Sequence, residues 1–138
     1  MLRPQIYKIT ALPKQTHDIS SFEDHTRVWV FQSSKVLTDV DQLEISSILD
    51  DFLVKWAAHG ADLYAGFEIR FDRFIVIAVD EHRALATGCS IDSMMKVVQQ
   101  IDQHYKLDLL NRMKVAYRHG EEIMERHVRW FTQLLANG

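Results

Sequence analysis

The order of patterned segments predicts an α+β protein of the ferredoxin-like βαββαβ type, followed by one further helix. Three observations carry this expectation. Strand-like segments fall at 27–31, 65–72, 74–79 and 113–118, and helix-like segments follow the first and the third. Two split β-α-β halves in that order interleave into an antiparallel plait with sheet order 4-1-3-2. The ranking by polarity agrees, because the two strands this order places inside the sheet are the more apolar. The two at its borders alternate with charges, as protected edges do.

Residues 1–26 hold both prolines, Pro4 and Pro13, and read as an N-terminal arm, although "QIYKITAL" has the composition of a short edge strand. "RVWVF" (27–31) is rich in β-branched and aromatic residues and reads as the first strand. The first helix is expected over "TDVDQLEISSILDDFLVKWAAHG". Thr38 caps it, Asp39, Asp41 and Glu44 suit the positive end of its dipole, and Lys55 and His59 the negative end. Ile45, Leu49, Phe52 and Trp56 form its apolar stripe, and Gly60 ends it.

At 65–72 the period changes to two: Phe67, Ile69 and Phe71 alternate with Glu68, Arg70 and Asp72. "FIVIAV" (74–79) is apolar on both faces, as a central strand is, and Asp72-Arg73 is the turn between the two. A second helix is expected from Ile91 to Tyr105 with Met94, Val98, Ile101 and Tyr105 in line and Ser90 as its cap. "MKVAYR" (113–118) alternates again. Glu121 to Ala136 reads as the final helix, on the stripe Met124, Val128, Phe131 and Leu135.

These elements make one domain over 1–138, with a core at 27–118 and the last helix at 121–136. Because the strand at 74–79 is apolar on both sides, the sheet face away from the two helices needs a cover. The C-terminal helix or a second subunit would supply it, and the latter implies a homodimer.

Of 138 residues, 47% are hydrophobic and 25% charged, the balance of a globular protein. Sixteen basic residues against 19 acidic give a formal net charge of −3, which offers no attraction for nucleic acid or an anionic membrane. No apolar run approaches the roughly 18 residues of a membrane span, and "MLRPQIYKIT" lacks a signal core. The single cysteine forbids an intrachain disulfide and suits a reducing, cytoplasmic setting.

"TGCSIDS" (87–93) holds that cysteine at the expected mouth of the second helix. A helix N-terminus favours a thiolate, and in the plait His82 and Asp80 come from the same rim, giving a nucleophile, base and orienting carboxylate. Asp92 opposes such a thiolate, and Ser90 alone explains the stretch as a helix start. Candidate metal ligands at this rim are His25, His59, His82 and Cys89, without HExxH, CxxC or paired-histidine spacing. Gly88, Ser90 and Ser93, with free helix-start amides, could hold an anion. His119 in "YRHG" reads as a turn residue. No cofactor is expected. The reading these residues favour is a small module that binds a ligand or a protein without catalysis; the alternative is an enzyme or metal site built on Cys89, His82 and Asp80.

The segments "RVWVFQSS", "WAAHG", "RFIVIAVDE", "GCSIDS" and "DLLNRMKVAY" resemble a small family of uncharacterised bacterial proteins, over about residues 26–123. Members often carry the description "ABC transporter ATPase". The resemblance implies no established activity, cofactor or site residue. An ATPase of that class needs GxxxxGK[ST], whose backbone amides and Lys hold the phosphates. None of the five glycines (60, 66, 88, 120 and 138) begins that motif. "FIVIAVDE" has the look of a Walker B strand, an apolar run ending in Asp80-Glu81, but no phosphate loop accompanies it. Nucleotide hydrolysis is excluded on this ground.

Overall fold

The computed structural model of the chain describes residues 17–23 and 25–136. The strand-like "QIYKITAL" lies outside them. The described chain is α+β: strands β1 (Thr26–Gln32), β4 (Ala65–Arg70) and β5 (Phe74–Asp80) form an antiparallel sheet in the order β1-β5-β4. Helices α1 (Asp39–Leu53) and α2 (Gly88–Tyr105) accompany that sheet. β2 (Ala57–Ala58) and β3 (Ala61–Asp62) make a small hairpin, and β6 (Lys114–His119) and β7 (Glu122–His127) a larger one before α3 (Val128–Ala136).

Register decides which residues meet the helices. Trp29 lies opposite Ile77 and Phe31 opposite Ile75, while across the other ladder Phe67 faces Ile77 and Ile69 faces Ile75. Ile75, Ile77 and Val79 are buried, in one cluster with Ile45, Leu49 and Leu53 of α1 and Met94, Val98 and Ile101 of α2. At about 1.5–3 kcal/mol for each fully buried aliphatic side chain, this cluster is the main stabilising term of the chain. The central position of β5 accords with its run of apolar residues.

α1 starts as its sequence dictates: the Thr38 hydroxyl accepts from the Asp41 N–H at 3.0 Å, and Asp39 and Asp41 occupy the first turn. It ends at Leu53 rather than His59. Val54 and Lys55 turn, Trp56 points into the core, and His59 (φ 51°) with Gly60 (φ 80°) forms the tight turn between β2 and β3. Two successive positive φ values are what a two-residue hairpin of the twisted type requires, so "HG" is a turn here and not a helix stop.

α2 begins three residues before its expected start. Thr87 is the N-cap, and Ser90 completes a reciprocal capping box from inside the first turn. Lys106 closes the helix in the left-handed conformation, its N–H donating to the Asp102 carbonyl at 2.7 Å. The turn between β4 and β5 is Phe71-Asp72-Arg73, with Phe71 and Asp72 both at positive φ, one residue earlier than the Asp72-Arg73 turn expected. Gln42 holds it by donating to the Asp72 carboxylate at 2.9 Å.

The expected fourth strand exists as β6 but pairs with β7, not with β1, so among the described residues the sheet has three strands and the 4-1-3-2 order is not formed. The expected helix over 121–136 is a strand to His127 and a helix only from Val128. The reason is the turn: Gly120 (φ 66°) and Glu121 join the paired residues His119 and Glu122, a two-residue loop with glycine leading. That hairpin pairs one edge of β6 with its sequence neighbour β7, a local partner in place of the distant β1. One face of the hairpin carries Tyr117, on which Trp130 stacks (5.7 Å) and Phe131 packs edge-on (5.4 Å). The other meets the main sheet through Gln32 Nε2 and Glu125 (2.6 Å), and through Arg118 over the Phe71 ring.

Among the described residues, α3 packs on the β6–β7 hairpin, and the second sheet face is covered only in part. Gly66 lies under the His17 carbonyl and Ile19, so the segment from His17 crosses part of it. Val28 and Val30 stay exposed. Among the described residues, no helix is long and apolar enough to cross a membrane.

Candidate functional site

β1 begins and β5 ends at one rim of the sheet, where Thr26 is paired with Asp80. His25 and His82 meet there, ring centroids 4.4 Å apart and nearly perpendicular. The Glu81 N–H donates to the His25 carbonyl, which fixes the loop after β5 against the entry to β1. Asp80 faces the backbone of His82, accepting its N–H at 3.0 Å, so its carboxylate orients the loop and not the imidazole.

Cys89 is exposed in the first turn of α2, and among the described residues no hydrogen bond or ion pair joins its thiol to His82, His25 or Asp80. Ser90, the residue beside it, is buried and fully used: its hydroxyl accepts from the Thr87 N–H at 2.7 Å and donates to the Thr87 carbonyl at 2.9 Å. Its own carbonyl accepts from Trp56 Nε1 at 2.8 Å. The Ser93 hydroxyl donates to the Cys89 carbonyl. Of Gly88, Ser90 and Ser93, the two hydroxyls are thus spent inside the helix start.

The remaining histidines part company with this rim. His59 sits on the β2–β3 turn. His119 ends β6, beside Glu121 and Glu122, which border a hollow with Phe71, Asp72 and Arg73 at the β4–β5 turn, the other end of the sheet. The plait would have carried His119 to the rim, and the hairpin carries it away. Among the described residues, no three His, Cys, Asp or Glu side chains are grouped closely enough to hold a metal ion.

A stack the sequence did not suggest lies beside the rim. His17 packs face to face on Tyr64 (3.4 Å), and the Arg83 guanidinium lies over the same tyrosine (4.2 Å). Partial burial, and then the Arg83 charge, hold the His17 imidazole below its ordinary pKa. The stack and the His17 N–H to Ala65 carbonyl bond (3.1 Å) pin the incoming chain to β4.

The open side of the sheet also offers room for binding. A hollow of about 420 Å³ is lined by Ile19, Val30, Phe71, Phe74 and Val76, with Glu68 and Arg70 at its polar margin. Val30 is 59% exposed and Val28 49%. β1 is also a border strand: its one ladder is with β5, and among the described residues its outer edge has no strand. The signal was present in "RVWVFQ", which is apolar at both odd and even positions, so that one side had to face outward.

No protein-family model matches this chain, and the searches of curated proteins and of solved structures found no match.

Proposed function

We propose that the protein is a non-catalytic interaction module that takes an extended segment of a partner protein as a fourth strand on β1. The observation that carries this reading is the combination at β1 of an edge that is unpaired among the described residues with outward-facing Val28 and Val30. Main-chain hydrogen bonds to such an edge supply affinity, and alternate side chains of the added strand find the apolar hollow, which supplies selectivity. A seven-residue edge bearing a single charge, Arg27, is otherwise a liability for aggregation. The separation of Cys89, His82 and Asp80 into unlinked roles supports binding over turnover.

The finer relationship to a ferredoxin-like plait belongs to this reading. The β1-β5-β4 order is that of three plait strands, and the added segment would stand where the fourth belongs. Kinship with the small bacterial family named above rests on the quoted segments, and a cytoplasmic setting on the single free thiol.

The test uses a photo-crosslinking residue placed at Val30, at Val28 and, as control, at the exposed Gln103. A discrete protein joined from the two β1 positions and absent from the control is expected. Once it is purified, its segment should slow amide exchange along 26–32. Equal products from all three positions, or a segment that leaves those amides unprotected, would refute strand addition. Cys89→Ser with His82→Ala should bind as wild type, whereas an enzyme built on the rim would lose its activity.

A further inference from the structure

We infer that the segment from His17 to Glu23 is a strap that acid releases from the open side of the sheet, with the stack of His17 on Tyr64 as its latch. This goes beyond strand addition on β1, because it needs no partner. Gly66 and Ala78 are paired across the β4–β5 ladder. Ile77 and Val79, on either side of Ala78, belong to the core cluster, so Ala78 and Gly66 face the open side. Two residues this small leave a shallow trough, and the strap runs in it: a side chain on Gly66 would meet the His17 carbonyl and Ile19. Ala78 is buried there, whereas Val28 and Val30 on the same side are open. Ile19 also lines the hollow shared with Val30 and Val76. Lifting the strap would take Ile19 out of that hollow and bare the trough, so its release opens the apolar side of the sheet.

One ring fastens the strap at both ends. His17 lies flat on Tyr64 at 3.4 Å, and Phe22 tilts against the same ring at 5.5 Å. The His17 N–H adds a bond to the Ala65 carbonyl at 3.1 Å. Between these ends is a single 3₁₀ turn, Ile19–Ser21, none of whose residues is fully buried, so the contacts with Tyr64 weigh heavily in holding it. Tyr64 also carries the Arg83 guanidinium, 4.2 Å from its centre. Among the described residues, the charged groups that meet this stack are Arg83, from the loop after β5, and Asp18 of the strap, whose carboxylate accepts from the N–H and hydroxyl of Ser20. Protonating His17 would set a second cation on a ring that already holds one, where partial burial withholds water from it. Burial first, and then the Arg83 charge, keep the latched imidazole below its ordinary value of 6.5. A free strap therefore takes up a proton more readily than a latched one. The latch is complete above that ordinary value and weakens as pH falls from it through the depressed one.

Amide exchange and imidazole NMR on the full chain test this between about pH 7.5 and about pH 5, the range in which histidine changes charge. In the wild type the protection factor of the His17 amide, which already corrects for the intrinsic effect of pH on exchange, should fall several-fold towards the acid end. The amides of β5 should stay protected, and the His17 ring should titrate below its ordinary value. His17→Phe keeps an aromatic ring for Tyr64 but takes up no proton, so protection at position 17 should stay level across the range. Arg83→Gln removes the second cation and should shrink the fall without abolishing it, because burial remains. Circular dichroism confirms that each variant folds, and if His17→Phe does not, the comparison of Arg83→Gln with wild type decides. A strap that keeps its protection in acid overturns the inference, as does a His17 ring that titrates at or above its ordinary value. So does a fall that persists undiminished in either folded variant, or one that β5 shares. None of these results involves a segment bound at β1, so the two readings fail separately.

Discussion

The indole Nε1–H of Trp56 donates to the carbonyl of Ser90 at 2.8 Å, and both residues are buried. This one bond ties the chain just after α1 to the first turn of α2, elements 34 residues apart. It also explains why α1 stops at Leu53. Carrying the helix through Trp56 would rotate the ring off the partner it has inside.

Trp56→Phe should therefore cost about 1–2 kcal/mol, the lost hydrogen bond together with the smaller ring. Trp56→Ala should cost about 3–5 kcal/mol, since a cavity is added beneath Trp29 and Phe52, which pack on the indole. Urea denaturation of the three proteins checks the ranking. A phenylalanine variant as stable as the wild type would mean that the bond contributes nothing.

Gly66 shows the same economy at the opposite side of the sheet. A Cβ there would overlap the His17 carbonyl and come within 2.8 Å of Ile19 Cγ2, and the obstacle is backbone, which cannot rotate away. Gly66→Ala should lift the segment from β4, breaking the His17 N–H bond to Ala65 and the stack on Tyr64. The expected loss is about 1–3 kcal/mol, with faster amide exchange at His17 while the amides of β5 stay protected. Uniform loss of protection would show instead that the segment is integral to the core.

How far the sequence discloses this structure depends on how local each decision is. The alternation at Phe67 and Ile69, the stripe at Ile45 and Leu49 and the two-faced run at 74–79 all report which side faces the core, and an element of the expected type forms at each, although the first helix stops short at Leu53 and the strand at Arg70. What misleads is a pattern that satisfies two periods. Met124, Val128, Phe131 and Leu135 fit a helix, yet Ile123 and Met124 serve equally in a strand once Gly120 turns the chain. The leading glycine between two alternating runs was the available signal. At the rim, a plait brings His119 near His25, and one missing strand pairing undoes that convergence. The His25–His82 contact survives because both residues border strands that do pair.

Lys106 is held at φ 56° and ψ 58° to close α2, a conformation that glycine adopts without penalty and a lysine does not. Its N–H bond to Asp102 is made by the backbone and persists in any replacement other than proline. Lys106→Gly should stabilise the protein by a few tenths to about 1 kcal/mol, the relief of strain exceeding the greater freedom of glycine in the unfolded chain. Lys106→Ala keeps the strain and should give no such gain. Thermal unfolding of the pair separates the two, and equal midpoints would place the cost elsewhere.

Tyr105 and Glu44 make the link between α1 and α2 sensitive to alkali. The phenol donates to the Glu44 carboxylate at 2.7 Å, and this bond, with lesser contributions from burial and the charges of Glu44 and Asp41, pushes the Tyr105 pKa up to about 12. A phenol whose folded pKa is raised binds its proton more tightly in the fold than in the unfolded chain. Its contribution is therefore complete below the ordinary phenol value of 10.0 and fades as pH climbs from there through about 12. Subtracting the stability of Tyr105→Phe from that of the wild type at each pH cancels every other titrating group. The difference should be constant through neutrality and fall towards zero across that alkaline window. Glu44→Gln keeps an acceptor but removes the charge, and should shift the fall to lower pH. A difference that stays level to the end of the window would mean that the phenol gains nothing from Glu44 when the chain folds.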